Sequence, residues 1–468
     1  MRQRTELRSV QQRLIEEMKH SEGVLIVLGM GGGKTVSALT AIHDLQQERL
    51  IRAAIVIAPK RVALTVWPAE VAKWQHLQHM RVGVMSGNPT QRAEVLCGEY
   101  DVYVCGIDNL TWLIDELKKL PTHAGLDQLV IDEMSRFKSP RGARAKALNR
   151  FAAAFGAIWG LTGTPRPNGW EDVWMPLQIV SKGRAWGQSF DPWRVQHFMP
   201  TDYHQRVWAV RSDALPRLRS VVNTWAVTIP PEETVDVPFV SGPDHDIIVP
   251  LSPTALADAE SMERELMVEL GRTGTLADVA MDDDSVVVAL SQAVASGKLA
   301  QIMQGYIYRS GEAVQHYDGG KTDALVDFVA GLDGEPLIIC YWYQEDLAAL
   351  RELYPSIRYL GAGVSDAQFA KTCAAWNMGD VPLLALHPAS AGHGLELQFG
   401  GARMLFYSVP WSPELYIQTV RRIARSGQTR PVFVHHMLAD HPYERLRMAR
   451  VASKRTAELE FINDLGRI

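Results

Sequence analysis

Residues 24–28, Val-Leu-Ile-Val-Leu, run straight into Gly-Met-Gly-Gly-Gly-Lys-Thr at 29–35, and the apolar residues of 36–45 then recur at helical spacing. A strand, a glycine-rich turn and a helix in that order begin a parallel sheet, not a meander. Further apolar runs of strand length follow at 53–57, 82–85, 102–105, 129–131 and 158–161, with helix-length patterns between them. Such alternation implies a parallel sheet covered on both faces, and this first α/β lobe spans about 1–180.

The alternation stops and then resumes. Residues 181–320 are rich in Trp, Pro and acid, and two helix patterns at 253–270 and 284–305, divided by a Gly-Arg-Thr-Gly turn at 271, predict a helical hairpin. From Lys321 the α/β pattern returns, with apolar runs at 337–341, 357–360, 383–386, 404–407 and 432–435. The fold class is therefore α/β, two parallel-sheet lobes with a mainly helical insertion between them: 1–180, 181–320, and 321–468 ending in a helix.

Composition narrows the class. At 468 residues, with 47% hydrophobic and 22% charged content, the chain is large enough for two to four cores. No apolar run reaches membrane-spanning length, so membrane function is not expected. The N-terminus has no apolar signal segment, and the four cysteines show no metal spacing; a reducing cytoplasm and no zinc are expected. The net charge of −5 alone argues against nucleic acid, but the acid is concentrated in the middle third, which leaves room for a locally basic groove.

The loop at 29–35 has the form of a phosphate cradle. Backbone N–H groups of Gly29, Gly31, Gly32 and Gly33 can point at phosphate oxygens while the helix N-terminus adds partial positive charge. Lys34 would reach the β- and γ-phosphates and Thr35 would ligate Mg²⁺. Asp132 and Glu133 end the apolar strand 129–131, at the edge of a parallel sheet where open α/β folds bind ligands. There Asp132 would hold Mg²⁺ through water, and Glu133 would orient and deprotonate the attacking water. Thr162, in Leu-Thr-Gly-Thr-Pro at 161–165, offers a hydroxyl to that acidic pair. Near the other end of the chain, Arg422 and Arg425 are three apart on an expected helix and so share a face. Arginines so placed can stabilise a transferring phosphoryl group.

In this order the motifs resemble those of a superfamily 2 helicase, and more narrowly of the Swi/Snf-type DNA translocases, over about 5–180 and 320–440. Leu-Arg-Ser-Val-Gln at 7–11 resembles the family's adenine-reading segment, which implies that Gln11 meets the base. Residues 57–60 with Val66, Trp67, Glu70, Lys73 and Trp74 resemble motif Ia and its downstream tryptophans, implying DNA contacts at Lys60 and Arg61. Residues 106–110 sit where the family touches the DNA backbone, implicating Asp108 and Asn109. Residues 161–165 with Asn168 resemble motif III, and 391–397 resemble motif V, which puts Gly392 and Thr162 on the nucleic-acid track and Gly394 at the nucleotide. Residues 418–428 match the family's Gln-x3-Arg-x2-Arg-x-Gly-Gln motif at every fixed position, implying that Gln418, Arg422 and Arg425 act in catalysis. The resemblance implies RecA-like lobes, ATP and Mg²⁺ as cofactors, and duplex DNA before single strands as partner. It also looks like a compact phage or prophage version, to be found in a bacterial cytoplasm.

Three positions depart from the family. Leu28 replaces the usual Gly or Ala at the start of the cradle, Ser135 stands where His is common, and Glu396 where Asn is common. The residues between 186 and 225 interleave aromatic and basic side chains, including Trp193, Arg194, His204, Arg206 and Trp208, and so could stack on bases or simply pack a subdomain. Asp282, Asp283 and Asp284 suit a solvated helix start; His387 and His393 suit a polar loop. The expected function is ATP-driven movement along double-stranded DNA. A strand-separating DNA or RNA helicase and a nucleotide-switched DNA-binding scaffold remain open beside it.

Overall fold

The computed structural model describes residues 1–29, 31–119, 126–163, 169–200, 208–230, 239–240, 243–269, 275–276, 294–308, 314–317, 320–390, 395–425 and 427–465. The chain divides into two compact units, Met1–Asp236 with Glu458–Ile468, and Val237–Ala457.

In the first unit the apolar runs become strands β1 (Gly23–Val27), β2 (Ala53–Ala58), β3 (Val82–Met85), β4 (Val102–Gly106), β5 (Leu126–Asp132) and β6 (Ala157–Thr162). A short antiparallel hairpin, β7 (Phe198–Pro200) with β8 (Trp208–Val210), precedes β9 (Ala226–Thr228). The sheet order is β3-β4-β2-β5-β6-β1-β9, parallel throughout. Alternate residues feed opposite cores: Leu25 and Val27 pack on one face, Val24 and Ile26 on the other. Burial on both faces is what near-continuous apolar strands require.

The stretch between the two sheets is apportioned between the units. Residues of 181–230 complete the first, where Trp193 is fully buried among Trp174, Trp186, Phe190 and Phe198, with ring centroids 5.1 to 6.4 Å away. Arg194 covers Trp208 at 4.3 Å and is held by Glu171. These aromatics pack the unit's core, and basic residues lie at their rim. His204 and Arg206 lie outside the described residues, as do Asp282, Asp283 and Asp284.

The second unit opens with β10 (Phe239–Val240) and β11 (Asp246–Val249), both paired to the last strand of its sheet. The helices Pro253–Glu269 and Val294–Met303 pack together through Ala259, Leu266, Leu299 and Met303; the expected helix positions 284–293 lie outside the described residues. A two-residue hairpin, β12 (Tyr306–Ile307) with β13 (Gln315–His316), leads into β14 (Leu337–Cys340), β15 (Arg358–Leu360), β16 (Leu383–Leu386), β17 (Arg403–Phe406) and β18 (Val432–Ala439). The order is β10-β18-β17-β14-β16-β15, again parallel. Both units are thus RecA-like α/β lobes. Among the described residues no helix is long and apolar enough to cross a membrane.

Candidate functional site

Registry brings the first unit's motifs to one end of its sheet. Thr162 of β6 pairs with Val27 of β1, and Leu161 pairs with Asp132 of β5, so the glycine loop, the acidic pair and Thr162 all leave from the same edge. The end of β2, leading to Lys60 and Arg61, and the end of β4, leading to Asp108 and Asn109, share it.

The loop requires its glycines. Gly31 and Gly33 have φ of 77° and 94°, a region open mainly to glycine. A β-carbon on Gly33 would fall 1.9 Å from Gln11 Nε2, and one on Gly32 would fall 2.5 Å from Leu28 Cγ. The second contact explains the unusual residue at 28: Leu28 is fully buried beneath the loop and occupies the space that Gly32 leaves. Gly33 is the N-cap of the helix Lys34–Gln47, with Thr35 at its second position. Lys34 Nζ donates to the Leu28 carbonyl at 2.7 Å and the Gly29 carbonyl at 3.3 Å. Arg8 donates to the carbonyls of Gly31 and Gly32, and Gln11 Nε2 to Gly32 at 3.3 Å. The Gln11 oxygen accepts from Arg8 N at 2.9 Å.

Asp132 is 6% exposed. Burial pushes its carboxyl above the ordinary range, while the Lys34 ammonium, the Trp67 indole N–H and the Glu133 amide pull it back. Trp67 Nε1 donates to Asp132 Oδ2 at 3.1 Å, and Glu133 N to Asp132 Oδ1 at 3.1 Å. Glu133 itself has φ of 57°, a left-handed turn rare for a non-glycine residue and characteristic of functional sites. Ser135 is buried at 5% exposure in the turn Met134–Phe137 that follows. The donor set suits a nucleotide with Mg²⁺: a glycine cradle at a helix N-terminus, one ammonium, and a hydroxyl and a carboxylate as hard oxygen ligands.

Among the expected nucleic-acid contacts, Lys60 is exposed and Arg61 partly so, just before the π-helical turn Val62–Val66. Asp108 forms an ion pair with Arg144 at 3.0 Å. Asn109 Oδ1 accepts from Arg92 at 2.9 Å. Thr162 is 1% exposed, between the strands that carry the acidic pair and the glycine loop.

In the second unit the helix Pro413–Val420 carries Gln418, whose amide donates to Glu414 at 3.0 Å. The two arginines are not on a helix, contrary to the expectation from their spacing. The helix ends at Val420, the chain turns, and Leu397 N donates to the Arg422 carbonyl at 3.2 Å. The turn still brings the arginines together: Arg422 Nη1 and Arg425 Nη1 reach the same carbonyl, Leu395, at 3.4 and 3.0 Å. Glu396 finds a role as the 3.6 Å ion partner of Arg425. Gln428 ties the end of the turn to the carbonyls of Gln398 and Gly401, both at 2.9 Å. Gly392, Gly394 and His393 lie outside the described residues. His387 bonds the Trp342 carbonyl at 3.0 Å and stacks on that ring.

The tether from Trp67 to Asp132 and the hold of Arg8 on the loop carry no role in the sequence reading. Both residues stand in the resembling motifs, but only the folded chain shows what they touch.

Residues 6–227 match the model of the SNF2-related domain. The protein p41 of Acyrthosiphon pisum secondary endosymbiont phage 1 is 33% identical over 447 residues, 92% of each chain. The transcription regulatory protein SNF2 of Saccharomyces cerevisiae is 27% identical over 206 residues, 43% of this chain but 12% of that protein. The Sulfolobus solfataricus SWI2/SNF2 ATPase core in complex with dsDNA is 19% identical, with a TM-score of 0.44 over 98% of this chain and 93% of that one. The cradle, the acidic pair and the arginine turn thus stand in a chain that belongs to the SNF2-related family, in a compact form with a phage counterpart of nearly the same extent.

Proposed function

We propose that this protein is an ATP-dependent translocase on double-stranded DNA. The observation that carries the reading is the convergence of Lys34, Asp132 and Glu133 at one sheet edge, with the basic residues that follow β2 on the same edge.

In this reading Lys34 exchanges the Leu28 and Gly29 carbonyls for the β- and γ-phosphates, and Gln11 turns its amide to the adenine. Thr35, and Asp132 through water, would hold Mg²⁺, which would neutralise charge on the phosphates. Glu133 orients the attacking water and takes its proton. The resemblance assigns Arg422, Arg425 and Gln418 to charge on the transferring phosphoryl group and Gly394 to the nucleotide. Lys60, Arg61, Asp108, Asn109, Thr162 and Gly392 are the positions that the resemblance assigns to the DNA track. Contacts of this kind to the backbone favour no sequence.

Steady-state ATP hydrolysis, measured without nucleic acid and then with duplex DNA, single-stranded DNA and RNA, tests the proposal, with Lys34→Ala as the blank. Stimulation by duplex, followed by ATP-dependent displacement of a triplex-forming strand, is expected. Stimulation by single strands alone would replace translocation with strand separation. Absence of hydrolysis would leave a nucleotide-switched scaffold. Glu133→Gln should stop turnover while ATP still binds.

A further inference from the structure

Asp108 is an unlikely-looking choice for a phosphate contact on elementary grounds, since a carboxylate repels the DNA backbone. Its oxygen Oδ1 lies 3.0 Å from Arg144 Nη1, and the two side chains are 67% and 53% exposed. We infer that Arg144 is the DNA-phosphate ligand at this point of the sheet edge and that Asp108 is the residue that positions it. The inference rests on the DNA-translocase reading above.

Three observations support it. First, position: Asp108 lies in the turn Ile107–Asn109 directly after β4, and Arg144 is the second residue of the helix Ala143–Ala152. A β-carbon added to Gly106 would fall 3.6 Å from Lys60 Cα, so Lys60 and the Asp108 turn are neighbours at the edge. Second, charge: residues 134–150 contain Arg136, Lys138, Arg141, Arg144, Lys146 and Arg150 and no acid, in a chain whose net charge is −5. The basic character is therefore local to this segment. Third, chemistry: an exposed ion pair adds little to stability, but a guanidinium presents five donors in a fixed fork. One Nη1 contact to Asp108 leaves most of that fork open to solvent and oriented to take a phosphate. The neighbouring Asn109 is arranged similarly, its oxygen accepting from Arg92 at 2.9 Å.

The test is binding of a fluorescent mixed-sequence duplex to the full chain, followed by anisotropy across a series of salt concentrations. Arg144→Gln should weaken binding about fivefold to tenfold at ~0.1 M salt and lower the salt dependence by about one phosphate equivalent. Arg144→Lys should restore the slope. Asp108→Asn loses the ion pair that holds Arg144 and should weaken binding about twofold to threefold, with the slope unchanged because the guanidinium that meets the phosphate is still present. Melting temperature should be unchanged in all three. Parent-like binding by Arg144→Gln overturns the assignment of Arg144 as ligand, and parent-like or tighter binding by Asp108→Asn, or a loss equal to that in Arg144→Gln, overturns the positioning role of Asp108. A parent chain that binds no duplex at all instead overturns the translocase reading beneath it.

Discussion

At the scale of single residues, the proposed site turns on how Asp132, 6% exposed, is aimed. Burial opposes its charge, and Trp67 supplies one of the few hydrogen bonds that favour it. Hydrogen bonds to charged groups contribute about 1.5 to 3 kcal/mol. Trp67→Phe keeps the ring and removes the indole N–H, so it should raise the KM for Mg·ATP roughly tenfold. Duplex binding without nucleotide should not change; steady-state kinetics with a parallel anisotropy titration checks both. Single residues were also the most legible scale. Gly33 could be read from sequence because only glycine suits a left-handed cap pressed against Gln11. Leu28 could not, because its compatibility comes from the missing side chain of Gly32, which only the folded loop brings beneath it. Glu396 was equally opaque until its ion pair with Arg425 was in view.

At the scale of elements, long apolar runs announced the strands well, and all those expected in both lobes are present. Among the described residues seven short strands went unread: the pairs β7 with β8 and β12 with β13, and β9, β10 and β11, which are two to four residues long and join their sheets through partners far away in sequence. Local periodicity has nothing to report over so short a span. One of them makes a contact with consequences. Asp246 of β11 lies 2.6 Å from His436 Nδ1, and His436 Nε2 lies 3.0 Å from the Tyr416 hydroxyl on the helix that precedes the arginine turn. Tyr416→Phe leaves that buried ring nitrogen without its partner and should cost about 1 to 3 kcal/mol in the stability of the second unit, read by chemical denaturation of the whole chain. In the first unit the segment around Arg4 and His76 gives a pH dependence. His76 is pushed down from 6.5 to about 4 by burial first, then by the charges of Arg4 and His43. Between those values the unfolded chain binds the proton and the folded chain does not, so stability is lost as pH falls from 6.5 towards 4. Urea midpoints at the two ends of that window should differ less in His76→Gln than in the parent.

At the scale of the whole molecule, each unit closes its own cores on both faces of its own sheet. The residues proposed for the chemistry, by contrast, are divided: the glycine loop and acidic pair belong to the first unit, and the arginine turn to the second. A net charge of −5 says nothing of this division, because function depends on where the basic groups stand and not on their sum. Division of labour makes a separation of defects the sharpest prediction for the intact chain. Lys34→Ala should lose nucleotide binding and turnover together, since Lys34 belongs to the cradle. Arg422→Gln should keep Mg·ATP and duplex binding near parent levels while kcat falls about a thousandfold, the scale expected of an arginine that acts on charge developing in the transition state. Because Arg422 also bonds the Leu395 carbonyl, a melting curve must accompany the kinetics. A normal melt with normal binding and lost turnover assigns the arginine to catalysis. Loss of ATP binding in Arg422→Gln would mean instead that the second unit helps grip the ground-state nucleotide, and the division of roles between the two sheets would have to be redrawn.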